Sequence, residues 1–120
     1  GFLNSRSTLR FPATFGDDRE VHLSGEAFFN VAKGKKSRFR VITRQLEAEV
    51  LGTSFNMMAY EDQPDEEITL KTGKLKILDK DHQELFAMVP DQQFVLNIAE
   101  NQFSIKKVNT SITPPGRKGS

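Results

Sequence analysis

Val21-His22-Leu23-Ser24-Gly25-Glu26-Ala27-Phe28-Phe29-Asn30-Val31 is the stretch that decides the fold. Its apolar residues Val21, Leu23, Ala27, Phe29 and Val31 fall at odd positions, and Glu20, His22, Ser24, Glu26 and Asn30 take the even ones. A period of two belongs to a strand with one buried face, because successive Cβ atoms point to opposite sides of the pleat. Gly25 interrupts the pattern without a side chain, which predicts a bulge or bend and hence two strands sharing one face. Phe28 departs from the alternation and is expected to cover something on the outer face.

The same alternation recurs in Phe39-Val41, Leu46-Ala48-Val50, Ile68-Leu70, Leu75-Ile77, Phe94-Leu96-Ile98 and Phe103-Ile105. Turn-forming residues separate these runs, at Gly16-Asp17-Asp18, Lys33-Gly34-Lys35-Lys36, Asp62-Gln63-Pro64-Asp65, Thr72-Gly73, Asp79-Lys80-Asp81, Pro90-Asp91 and Glu100-Asn101. Short strands every 8 to 12 residues or so point to an all-β sandwich or barrel and argue against parallel βαβ units; the expected architecture is an antiparallel β-sandwich, jelly-roll-like. The segment Arg44 to Leu51 is made largely of good helix formers. It is nevertheless short for a helix, alternates, and meets Gly52, so it reads as a strand ending there. There is no internal repeat.

With 120 residues the chain is one domain's worth and long enough to bury a core. Ten Phe against one Tyr and no Trp supply much of its apolar bulk. Seventeen Lys and Arg balance sixteen Asp and Glu, a net charge of +1 scattered along the chain. A phosphate backbone or an anionic membrane calls for clustered positive charge, so neither nucleic acid nor membrane is expected as a direct partner. The lack of Cys excludes disulfides, thiol nucleophiles and thiolate metal sites. No apolar run approaches the roughly 20 residues of a membrane span. The start has no signal-peptide h-region and no Met, and Thr113 to Ser120 reads as linker. A piece of a longer protein is therefore expected.

Residues capable of chemistry are sparse. A cupin-like metal site needs converging imidazoles, and the two His, His22 and His82, lie far apart on surface positions. Glu47 and Glu49 share one strand face, but a glycosidase pair must face each other across a cleft, so an exposed sheet edge is the simpler reading. Nucleophile elbow, P-loop and dinucleotide fingerprint are all missing. The expectation is no catalysis, no cofactor and no bound metal. A basic turn, Lys33, Lys35, Lys36, Arg38 and Arg40, and an acidic one, Glu61, Asp62, Asp65, Glu66 and Glu67, read as solubilising hairpin ends. The basic set is the sharper candidate for docking a partner.

Two segments carry a resemblance: Val21 to Val31 and Val50-Leu51-Gly52-Thr53-Ser54-Phe55-Asn56. They are similar to the FecR-domain patterns V-x-L-x-G-E-A-x-F-x-V and V-L-G-T-x-F-N. Phe39-Arg40-Val41, the stretch Ile68 to Leu75 and the upstream Leu3 to Pro12 fit further family motifs in family order, from about residue 2 to 108. The chain departs from the family at Pro90-Asp91-Gln92, where P-G-E or P-G-Q is usual. In physical terms Gly25 and Gly52 suit backbone positions that exclude a Cβ, and Phe29, Phe55 and Val31 suit the core. Thr53, Ser54 and Asn56 suit a strand bend, and Glu26 either holds a turn or an Arg, or contacts a partner.

The resemblance implies a periplasmic β-domain, residues 2–108, of a single-pass inner-membrane anti-sigma factor. Residues 109–120 would be linker or the start of a missing C-terminal domain. It implies a partner in the periplasmic signalling domain of an outer-membrane TonB-dependent transducer. An extracytoplasmic-function sigma factor would be held only through a cytoplasmic segment absent from this chain. The alternative is a carbohydrate-binding β-sandwich, which would call for Trp and Tyr platforms where the chain has only Tyr60.

Overall fold

Alternating residues become strands, and in this computed structural model they do so nine times; the structure describes residues 2–3, 7–10, 19–31 and 39–109. The strands are β1 (Phe2–Leu3), β2 (Thr8–Arg10), β3 (Arg19–Asn30), β4 (Phe39–Ile42), β5 (Glu47–Ala59), β6 (Asp65–Leu78), β7 (Glu84–Met88), β8 (Gln92–Asn97) and β9 (Gln102–Lys107). The protein is an all-β sandwich, and among the described residues its pairings are antiparallel apart from β3–β4, which is parallel over four residues from Arg19 to His22.

Three long strands, β3, β5 and β6, run through both layers. Residues 25–30 of β3 pair with 54–59 of β5, while the N-terminal stretches of the two strands, 19–22 of β3 and 47–50 of β5, lie at opposite ends of that ladder and both pair with β4. One half of β6 pairs outward with β8 and the other half with β7. One layer is therefore built from β4, β7 and the adjoining halves of the long strands. The other holds their remaining halves with β8 and β9. Each long strand thus acts as two short ones.

The bends lie at glycines. Gly25, Gly52 and Gly73 have φ of +113°, +59° and +86°, which L-residues rarely adopt. The β5–β6 register slips between Leu51 and Ser54 and again before Phe55, a bulge that re-aims both strands. Gly52 and Thr72-Gly73, read from sequence as a strand end and a turn, are interior to β5 and β6. Pairing partners on both sides carry the strands through.

Between the layers lies one cluster. Val21, Leu23, Ala27 and Phe29 of β3 meet Phe55 and Met57 of β5, Ile68, Leu70, Leu75 and Ile77 of β6, and Phe94 and Leu96 of β8. Phe29 stacks on Phe55 with ring centroids 5.1 Å apart and tilts against Phe39 at 5.9 Å. Such aromatic pairs add to simple area burial.

Candidate functional site

The residues singled out from sequence fall on one paired unit. The segments Val21 to Val31 and Val50 to Asn56 lie far apart in the chain, yet Gly25 stands opposite Ala59, Phe29 opposite Phe55 and Asn30 opposite Ser54. Their outward polar side chains bond across the pair: Asn56 Nδ2 donates to Glu26 Oε2 at 2.8 Å, and Ser54 Oγ donates to Asn30 Oδ1 at 2.9 Å. Glu26 is held by an amide in this pairing.

Both glycine sites are tight. The Glu26 amide donates to Ser7 Oγ at 2.7 Å, and a Cβ on Gly25 would lie 2.5 Å from the Ser7 Cα. A Cβ on Gly73 would lie 2.7 Å from the Gly52 carbonyl oxygen and 2.8 Å from Thr53 Oγ1. Thr53 is buried, and its hydroxyl lies within bonding distance of the Leu51 and Lys74 carbonyls, 3.0 and 2.9 Å, so it satisfies backbone that the bulge leaves out of the ladder. Gly52, Thr53 and Gly73 are parts of one corner.

The outer face of the other layer carries an ionic chain. Arg40 Nη2 lies 2.9 Å from Glu20 Oε1 and its Nη1 3.3 Å from Glu47 Oε2. Glu20 Oε2 is 3.0 Å from His22 Nε2, and Glu47 Oε1 is 3.3 Å from His82 Nδ1. Both His, read from sequence as solvated, end on carboxylates. Glu47 and Glu49 are not on a sheet edge, because β5 is paired on both sides. Glu47 is buried at 7% side-chain exposure, and Glu49 stands across from Arg40 and Lys76.

The two charged turns come apart. Lys33, Lys35, Lys36 and Arg38 lie outside the described residues, while the Arg40 guanidinium is held by Glu20 and Glu47. In the acidic turn Glu61 and Asp62 are exposed, but Glu66 points inward with Ile68 and Leu70 and is 1% exposed. That overturns its reading as part of a solvated hairpin end. Its parity on β6 places it on the buried face. Thr43 Oγ1 donates to Glu66 Oε1 at 2.6 Å, and Thr43 itself closes the β4–β5 turn through the Leu46 amide and carbonyl. Burial pushes the Glu66 carboxyl above the usual carboxylate range, opposed by the Thr43 hydrogen bond and the Arg44 charge. Glu67 is raised too, first by burial and then by Asp65.

Among the described residues no group of three His, Asp or Glu converges to hold a metal, and no helix is long and apolar enough to cross a membrane. Asp91, in the place of the expected glycine, has φ +69°, so the turn before β8 keeps its left-handed residue. Its amide donates to the Leu70 carbonyl and its carbonyl accepts from the Val108 amide.

The profile of the family described as FecR protein matches residues 2–76. Two crystal structures of a candidate anti-sigma factor from Parabacteroides distasonis ATCC 8503, at 1.65 and 2.50 Å resolution, are similar to the chain. Each is 33% identical with a TM-score of 0.81 over 91% of this chain and 51% of that one. The chain thus spans about half the length of these relatives. No curated protein matches it.

Proposed function

Because the chain belongs to the FecR family, we propose that it is the signal-relay module of an anti-sigma factor, a non-enzymatic regulator of transcription. The observation that carries this reading is the likeness to the P. distasonis protein, at 33% identity and a TM-score of 0.81 over 91% of the chain. In the full reading the domain sits in the periplasm as part of a single-pass inner-membrane protein. It receives the signalling domain of a TonB-dependent transducer and passes the event to a cytoplasmic segment that holds an extracytoplasmic-function sigma factor. A sugar-binding module would need flat aromatic platforms. The exposed aromatic among the described residues is Phe103, whose ring is stacked on Phe94 at 4.8 Å.

The test is a sigma-dependent reporter in cells carrying the full-length regulator. Gly73→Val, which breaks the β5–β6 corner, should uncouple the reporter from the inducing signal, and parent-like induction would defeat the relay role. In vitro, the transducer's signalling domain should bind this chain more weakly than it binds the longer regulator. Binding should weaken further with salt if Lys33, Lys35, Lys36 and Arg38 steer the encounter. Equal, salt-independent affinities would remove both the steering and the contribution of the missing part.

A further inference from the structure

Two of the three exposed large hydrophobic residues among those described, Leu51 at 54% and Val89 at 49%, line the same groove, of about 660 Å³, on the outer face of β5, β6 and β7. Exposed aliphatics that share a concavity with a charged side chain can contribute to recognising a partner. The strand register fixes what lies between them. Leu51 stands across from Lys74, and Met88 across from Leu75, so Val89, one residue further, is level with Lys74 on its other side. The row therefore reads aliphatic, lysine, aliphatic.

The neighbouring row is built differently. There Lys76 faces Glu49 on one side and Ala87 on the other, and its Nζ is 4.0 Å from Glu84 Oε1. Lys76 thus has one carboxylate at ion-pair distance and a second across the strand pair. Lys74 has only apolar cross-strand neighbours and forms no ion pair among the described residues. Gly73 lines the end of the groove, where the chain turns the corner into the other layer.

These features select the occupant. A purely apolar segment would cover Leu51 and Val89 but offer the Lys74 ammonium no partner. A second copy docking by a twofold axis would offer Lys74 only Glu49 from the mating groove, a carboxylate that already stands across from Lys76. A segment presenting a carboxylate beside an apolar side chain satisfies both parts of the row: it buries the aliphatics along with the lysine stem and pairs the ammonium. We propose that the Leu51–Lys74–Val89 groove docks an acidic, apolar-tipped segment of a partner protein. The proposal deepens the relay reading and rests on it only in supposing that the partner belongs to the signalling chain.

The probe is an acetylated pentapeptide amide, Glu-Leu-Asp-Phe-Glu, with a counterpart in which lysine replaces each acidic residue. Titration into the methyl-labelled chain should shift the Leu51, Ala87 and Val89 resonances with the acidic peptide and bind the lysine peptide at least tenfold more weakly. Leu51→Glu should lose the response, and Lys74→Glu should reverse the preference between the peptides. Both positions are exposed, so parent-like urea midpoints will show intact folds. Absence of binding, shifts elsewhere, equal response to both peptides, or self-association abolished by Leu51→Glu would each overturn the proposal. In cells, a Lys74→Glu regulator that still responds normally, where Gly73→Val does not, would dismiss the groove and leave the relay role standing. Normal response in both would dismiss the relay role itself.

Discussion

Single residues hold the corner of this sandwich, and the strictest is Gly73. Its φ of +86° disfavours any side chain, and its missing Cβ is where the Gly52 carbonyl and Thr53 hydroxyl lie. Gly73→Ala should cost more than about 2 kcal/mol, strain and contact acting together, and Phe55→Ala about 3–5 kcal/mol through the cavity left under Phe29. Urea midpoints within error of the parent would refute both. Asp91 is more forgiving. Asp91→Gly should retain stability because the left-handed turn remains, whereas Asp91→Val should lose about 1–2 kcal/mol. Glu66 sets a pH dependence. Its folded carboxyl titrates above the ordinary value of 4.5, so the folded state holds the proton more tightly than the unfolded chain does. The Glu66 contribution is therefore fully present below the ordinary value and is lost as pH rises through the raised one. In Glu66→Gln the fall in stability from about pH 4.5 upward should be shallower than in the parent, and identical slopes would show that Glu66 titrates normally.

Strands acquire their partners through side chains that sequence order keeps far apart. The four-residue β4 is held in its slot by Arg40, which reaches Glu20 on β3 and Glu47 on β5. A quarter of its side chain remains exposed, so screening tempers the ion pairs, but Glu47 has little water to fall back on. Arg40→Met should cost about 1–3 kcal/mol, mostly because the buried Glu47 carboxylate is left with His82 alone. A double-mutant cycle with Glu47→Gln should recover part of that loss. Strict additivity would mean that the two side chains do not interact. Glu66 does comparable work for the next connection, since through Thr43 a residue of β6 fixes the turn that launches β5.

Across the whole molecule the two layers are not separable units, because β3, β5 and β6 each contribute to both. Neither layer can unfold and leave the other with intact strands. Urea unfolding followed by far-ultraviolet circular dichroism and by methyl resonances from each layer should give coincident midpoints. Separate midpoints would show that the glycine corners are hinges between independent halves. Pairings such as Phe29 with Phe55 close long loops before any contact rewards them, so refolding should take milliseconds to seconds rather than microseconds.

Much of this was legible in the sequence. Period-two alternation marks which side chains enter the core, since burying one face of a strand is a property of the strand alone. The motifs Val21 to Val31 and Val50 to Asn56 were enough to place the family. Missing from the sequence was every fact that depends on what lies across a pleat. Gly52 and Thr72-Gly73 have the local chemistry of turns, and only partners on both sides of β5 and β6 make them bends inside continuous strands. Glu47 and Glu66 have the composition of surface, and partners from other strands, Arg40 and Thr43 among them, make their burial tolerable. The Leu51–Lys74–Val89 row joins residues from three separate segments, so no sequence window contains it. Local patterning determines which way a side chain points, and tertiary pairing decides what it meets there.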